Sequence, residues 1–258
     1  MKLYFHYLSM HVKSQMQYRL SFWLSLLSQF IFSFFSFMSV WFLLARFHTV
    51  DGFTAGEILL CYGINLIPFS LAELFFRGFD LFDRMLGNGE FDRIMVRPRA
   101  IIPQVLGARL ELTRLGRFLQ ALVVFLYALL RGGIIWTPGR VLTLITMLIG
   151  GTAVFSGLFV LSAALSFFTT QGLEVLNIFT YGGREFGQYP LSAYGKWILR
   201  FFTWIIPFAL FQYYPLLYLT GRSANPLLTV LPLAAMLFLI PCWLLWRLGV
   251  RKYRSTGS

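Results

Sequence analysis

The chain has 258 residues, of which 58% are apolar, 19% aromatic and only 12% charged, with a mean hydropathy of +0.70. That is more apolar surface than one soluble core encloses, which excludes an ordinary water-soluble domain. A formal charge of +12 would suit nucleic acid, but the basic residues lie between long uncharged runs, so the partner they imply is membrane lipid and not nucleic acid.

A helix crosses the roughly 30 Å hydrocarbon layer with about 20 apolar residues. The first such run, Leu20 to Ala45, lies between Arg19 and Arg46 without an ionisable side chain and is long enough to tilt. It ends in Trp41-Phe42-Leu43-Leu44 and not in a small-residue cleavage site, so it is expected to stay in the mature protein. Further runs cover Ile58 to Leu71, Phe118 to Leu130, Val141 to Phe168, Phe201 to Leu219 and Leu227 to Trp246. The fold expected is an all-α membrane protein of about six transmembrane helices, forming a single domain over residues 1–258. Cys61 and Cys242 lie inside apolar runs and read as small hydrophobes, not a bridge.

With alternating spans, the N-terminal segment, the loop from Arg77 to Arg117 and the C-terminal segment share one side. They hold three, eight and four basic residues, fifteen of the 22, against Arg46, Arg131, Arg140 and Arg222 in the opposite connections. The positive-inside rule makes that side cytoplasmic and places both termini there.

The long loop carries the most information. Phe79, Phe82 and Leu86 share one helical face, and Gly87-Asn88-Gly89 ends that helix. Glu90 to Met95 forms a short amphipathic helix that Arg97-Pro98 stops, because the residue before proline is steered from the α region. Gln104 to Arg117 reads as a second amphipathic helix, suited to the membrane surface.

Gly89-Glu90-Phe91-Asp92-Arg93-Ile94-Met95-Val96-Arg97-Pro98 resembles the "G-x-hydrophobic-D-x-x-L-x-R-P" segment of ABC-2 type transporter permeases. Ile206 to Pro215 resembles the "IP-x-A-x-x-x-YYP" segment of a six-span bacterial subfamily formerly classed as a domain of unknown function. Gly249 to Ser258 is similar to that subfamily's closing "G-x-x-x-Y-x-S-x-G-S", and Tyr189-Pro190-Leu191 to its "YP-hydrophobic" element.

The resemblance implies a permease subunit of an ATP-driven exporter in the bacterial cell membrane, moving a hydrophobic or amphipathic compound by alternating access. It implies two copies of an ABC ATPase subunit, and a second permease, identical or related. Gly89, Glu90, Phe91, Asp92, Arg93, Arg97 and Pro98 then form the coupling segment that meets the ATPase. The chain has no G-x-x-x-x-G-K-[ST] and no cluster of metal ligands or nucleophile with base, so no cofactor is expected in it; ATP and magnesium belong to the partner.

Two threadings of Thr169 to Leu219 are open. The resemblance favours a short fifth span, Gln171 to Gln188, followed by an outward hairpin from Pro190 to Leu219. Hydropathy and the basic residues favour Thr169 to Trp197 outside the membrane and Ile198 to Leu219 as the span. In the first, Pro190, Pro207, Tyr213, Tyr214 and Pro215 form a candidate outer gate, since irregular backbone at membrane depth is tolerated beside protein or a cavity. Glu73 and Glu174 are candidate intramembrane acids. For Glu73 the plainer expectation is a pair with Arg77 one turn on. The rival to the exporter reading is an ATP-independent secondary transporter or channel, for which paired broken helices in two matching halves are expected; no internal repeat is visible.

Overall fold

The computed structural model describes residues 2–47, 49–131, 133–169 and 173–254; Lys2, Leu3, Phe5 and Leu173 to Val175 are described by backbone alone. A surface helix α1 (Lys2–Gln17) leads into α2 (Arg19–Phe47). The α2 residues that meet the bundle, Ser33, Phe37, Val40 and Leu44, repeat at four, three and four, a narrow stripe on a helix otherwise exposed to its surroundings. A two-stranded turn, β1 (Thr49–Val50) and β2 (Phe53–Thr54), follows.

Thr54 then starts α3 (Ala55–Asp80) through a capping box. Its hydroxyl accepts from the Glu57 amide, and the Glu57 carboxylate accepts from the Thr54 amide at 2.7 Å. The central helix α3 is buried on nearly every side, and it packs against α7 (Leu115–Arg131) and α8 (Pro138–Leu165). It runs past the apolar stretch Ile58 to Leu71 because Glu73, Arg77 and Asp80 find partners and stay helical, with a local kink at Phe76.

Between α3 and α7 lie α4 (Phe82–Gly87), α5 (Glu90–Met95) and α6 (Ile101–Ala108). The surface helix expected over Gln104 to Arg117 does not form. The backbone is extended at Arg109, a 3-10 turn spans Leu112–Arg114, and Arg114 and Arg117 turn inward to Glu73. A buried carboxylate without counter-charge costs more than a lost surface helix gains.

After α8 comes α9 (Leu173–Phe186), then a 3-10 turn Leu191–Tyr194, α10 (Lys196–Trp204), α11 (Phe208–Phe211) and α12 (Tyr213–Leu219). The chain closes with α13 (Leu231–Ala235) and α14 (Leu239–Lys252), joined by a 3-10 turn. Among the described residues, five helices are long and apolar enough to cross a membrane, and six if α10 with α11–α12, bent by 87°, counts as one.

The ends of this bundle differ. The α1 helix is latched to the end of α6, His11 Nε2 lying 2.8 Å from the Gly107 carbonyl, and Tyr253 packs on Phe91; both described chain ends therefore share the face that carries α4 to α6. On the opposite face Arg222 clasps Glu57 at 2.7 Å, donates to the Gly52 carbonyl and covers the Phe53 ring.

The α9 helix starts at the first face. Tyr181 meets Asp80 and Arg77 at the end of α3, whereas Gly187 lies against Asn65, halfway along α3. With 14 residues, about 21 Å, α9 is too short to cross alone. From there α10 descends again: Phe201 stacks on Phe179, and Trp204 borders the same groove as Leu176 and Leu245. After Pro207 the chain climbs to Leu219 and the Arg222 clasp. Both threadings remain compatible with a pair of helices bent by 87°, and the start of the short fifth span at Gln171 lies outside the described residues.

Candidate functional site

The short helix α5 owes its position to both of its neighbours. Gly89 has φ +67°, a left-handed conformation in which any β-carbon is strained, and it reverses the chain between α4 and α5. The reversal lays Phe91 against Phe82 at 5.0 Å, Phe167 at 5.4 Å and Tyr253 at 5.1 Å, with Trp246 of α14 beneath Phe79 and Phe82. Asp92 accepts a hydrogen bond from the Tyr253 hydroxyl, and burial followed by that carboxylate pushes the phenol up. Glu90 pairs with Arg109 at 3.0 Å. Phe91 is fully buried, so the outward face of the segment consists of Arg93, Met95, Val96, Arg97 and Pro98, of which Val96 is 83% exposed.

Just above lies a buried ion cluster. Glu73, with no exposed surface, receives Arg117 at 2.5 Å and Arg114 at 3.4 Å, besides Arg77 at 3.8 Å. The expected pair with Arg77 is present but is the longest of the three. Arg77 also pairs with Asp80 and donates to the Tyr181 hydroxyl, which in turn donates to Asp80 at 2.7 Å. Glu111 joins through Arg114 at 2.8 Å and Arg77 at 3.4 Å. Three arginines thus face three carboxylates, which lets the cluster lie at the end of the apolar layer. Burial pushes the Glu111 carboxyl up, but Arg77 and Arg114 outweigh it and hold it below the usual carboxylate range. The other acid singled out from the sequence, Glu174, lies outside the described side chains, as does the end of the closing motif from Ser255.

The residues singled out as a candidate outer gate lie on and beside the V. Pro207 forms the apex of the V, while Pro190 and Pro215 are buried. The Tyr214 hydroxyl lies 3.3 Å from Thr203 between the arms of the V, and Tyr213 packs on Tyr214. The V is fastened by a residue that sequence reasoning passed over: Gln212, 1% exposed, donates to the carbonyls of Gly187 at 2.9 Å and Tyr189 at 3.0 Å. Asn65 likewise donates to the Arg184 carbonyl at 2.7 Å, and Gly187 lies so close that a β-carbon there would collide with the Asn65 amide. The signal was present: Asn65, Gln120 and Gln212 are lone amides inside apolar runs, where an unpaired polar group is costly and a partner is required.

Five long apolar helices and a bent helix pair among the described residues define a multi-pass membrane protein. A family model described as ABC-2 family transporter protein matches residues 30–257. The chain therefore belongs to the ABC-2 transporter family, the membrane components of ABC transporters. No curated protein and no solved structure matches it.

Proposed function

We propose that this chain is the permease subunit of an ATP-driven exporter in the bacterial cell membrane, with both termini and the α4–α6 face in the cytoplasm. It pairs there with a second permease and two ATPase subunits that supply the ATP and magnesium chemistry. The observation that carries the reading is the two-sidedness of α5: Phe91 and Asp92 fix it to α8 and α14, while Arg93, Met95, Val96 and Arg97 face outward. A short helix held this stiffly passes a push on its outer face to the spans behind it. Beside it, Tyr7, Arg93 and Arg97 border a hollow of about 230 Å³ that would take a partner's side chains. A hydrophobic or amphipathic cargo is supported by an apolar groove of about 670 Å³ bordered by Phe79, Leu148, Leu239 and Trp243.

The test is affinity purification of the tagged chain from its own membranes in mild detergent, with ATPase activity measured in the eluate. Wild type is expected to bring an ATPase with it, and the surface variant Arg93→Glu, Val96→Asp, Arg97→Glu to lose it while eluting as a folded protein. Equal ATPase recovery from that variant, or none from wild type, contradicts the proposal.

A further inference from the structure

We propose that a small polar cavity between α2, α3, α7 and α9 binds the anionic head of a tailed molecule, a carboxylate or phosphate ester on an apolar chain, entering sideways past Phe32. The cavity measures about 120 Å³, several times a water molecule's share of roughly 30 Å³. Its polar lining is Ser33, Ser36, Tyr62, Arg117, Arg184 and Gln188, without a carboxylate. Ser33 stands fourteen residues from either end of α2, about 21 Å at 1.5 Å per residue, so the site is near mid-depth of the apolar layer. Arg117 enters the cavity from the ion cluster below it and Arg184 from α9; guanidiniums inside the apolar layer are costly, and ionisable groups there mark binding or transport paths by default.

Their counter-charges lie elsewhere. Arg117 meets Glu73 beneath the cavity, and Arg184 meets Glu185, whose side chain is 47% exposed at the bundle surface; neither acid borders the cavity. Both guanidiniums rest against the Phe69 ring, at 5.7 and 5.4 Å, so the two positive charges converge. Gln120, 1% exposed, lies behind that lining: its Oε1 accepts from Ser33 at 2.7 Å and Tyr62 at 3.1 Å, and its Nε2 is buried without a partner. A lining of guanidinium, hydroxyl and amide groups without a carboxylate, in a water-poor setting, selects an oxyanion.

The rim selects the tail. Phe32 borders the cavity and is 70% exposed, and Ile31 and Phe35 continue an apolar surface along α2. A free phosphate ion would have to cross that surface, whereas an amphiphile lies along it with its head inward. That the occupant is exported cargo rests on the exporter reading; binding does not, and the experiment measures binding alone.

The purified full chain in dodecyl maltoside is titrated with 11-(dansylamino)undecanoic acid, followed by its fluorescence, and competitors are added. Oleate or dioleoyl phosphatidic acid is expected to displace the probe at concentrations at least about tenfold below oleyl alcohol, the chain-matched neutral, and inorganic phosphate is expected not to displace it. Displacement by phosphatidic acid assigns a phospholipid source, and displacement by oleate alone a single-chain one. Arg184→Gln should weaken probe binding roughly tenfold or more, the loss of one charge-assisted hydrogen bond, with Arg184→Lys recovering part of it. Ser36→Leu, which narrows the cavity without changing charge, should weaken binding as well and serves if Arg184→Gln does not elute as a folded protein. Equal displacement by the alcohol, displacement by inorganic phosphate, or unchanged affinity in the folded variants overturns the proposal.

Discussion

Glu73 organises its surroundings more than any other single side chain. Its carboxylate is wholly buried and draws Arg114 and Arg117 off the surface, which is why the segment before α7 bends inward where helical spacing predicts a continuous surface helix. Replacing one member of a buried ion cluster leaves the others uncompensated, at a cost of about 3–5 kcal/mol. Glu73→Gln is therefore expected to lower thermal stability in detergent sharply, and Glu73→Gln with Arg117→Met to recover part of the loss. Additive losses from the two changes would show that the charges do not depend on each other. The residue-level chemistry was only partly legible in the sequence. The pair with Arg77, at i and i+4, could be read from spacing, whereas Arg114 and Arg117, about forty residues away, become neighbours only through α3–α7 packing.

Helix α5 illustrates how a local pattern and a tertiary contact divide the work. Its bounds follow from Gly89 and from the proline after Arg97, and the sequence reading of a short helix between breakers matches Glu90–Met95. Which face turns inward does not follow from that pattern, because the partners of Phe91 come from the ends of α8 and α14. Truncating a fully buried phenylalanine costs about 3–5 kcal/mol. Phe91→Ala is expected to free α5 from α14 and so to speed limited proteolysis at the exposed arginines between 93 and 99, with Arg93→Ala leaving the intact chain as resistant as wild type. Unchanged cutting in Phe91→Ala would mean that the aromatic cluster does not hold the segment. The V of α10 to α12 lay at the edge of what hydropathy resolves: Pro207 marks its apex, but its depth is set by Gln212 reaching the carbonyls beyond α9.

Across the whole molecule, the presence of five to six long apolar helices and the sharing of one face by both described ends could be read from apolar runs and basic residues, because both patterns are local in sequence. The order in which helices pack is not local: α3 lies at the centre because it is buried all round, and α2 lies at the edge because only a stripe of it is. Sidedness is testable directly, since Cys61 and Cys242 are both buried and should not compete for reagent. A cysteine in place of Ala224 is expected to react with a membrane-impermeant maleimide on intact cells, and one in place of Asn88 only after permeabilisation; the reverse pattern would invert the orientation proposed here.

The reading of the molecule as a transport component driven from outside its own chain depends on what touches α5. A photo-crosslinking amino acid placed at Val96, the most exposed apolar residue of that segment, should be activated in native membranes and the adducts sized and sequenced. An adduct with an ATP-binding polypeptide, absent when the probe is moved to buried Ile94, is the expected result. Adducts with lipid alone, at a yield that does not depend on the outward face of α5, would contradict the account.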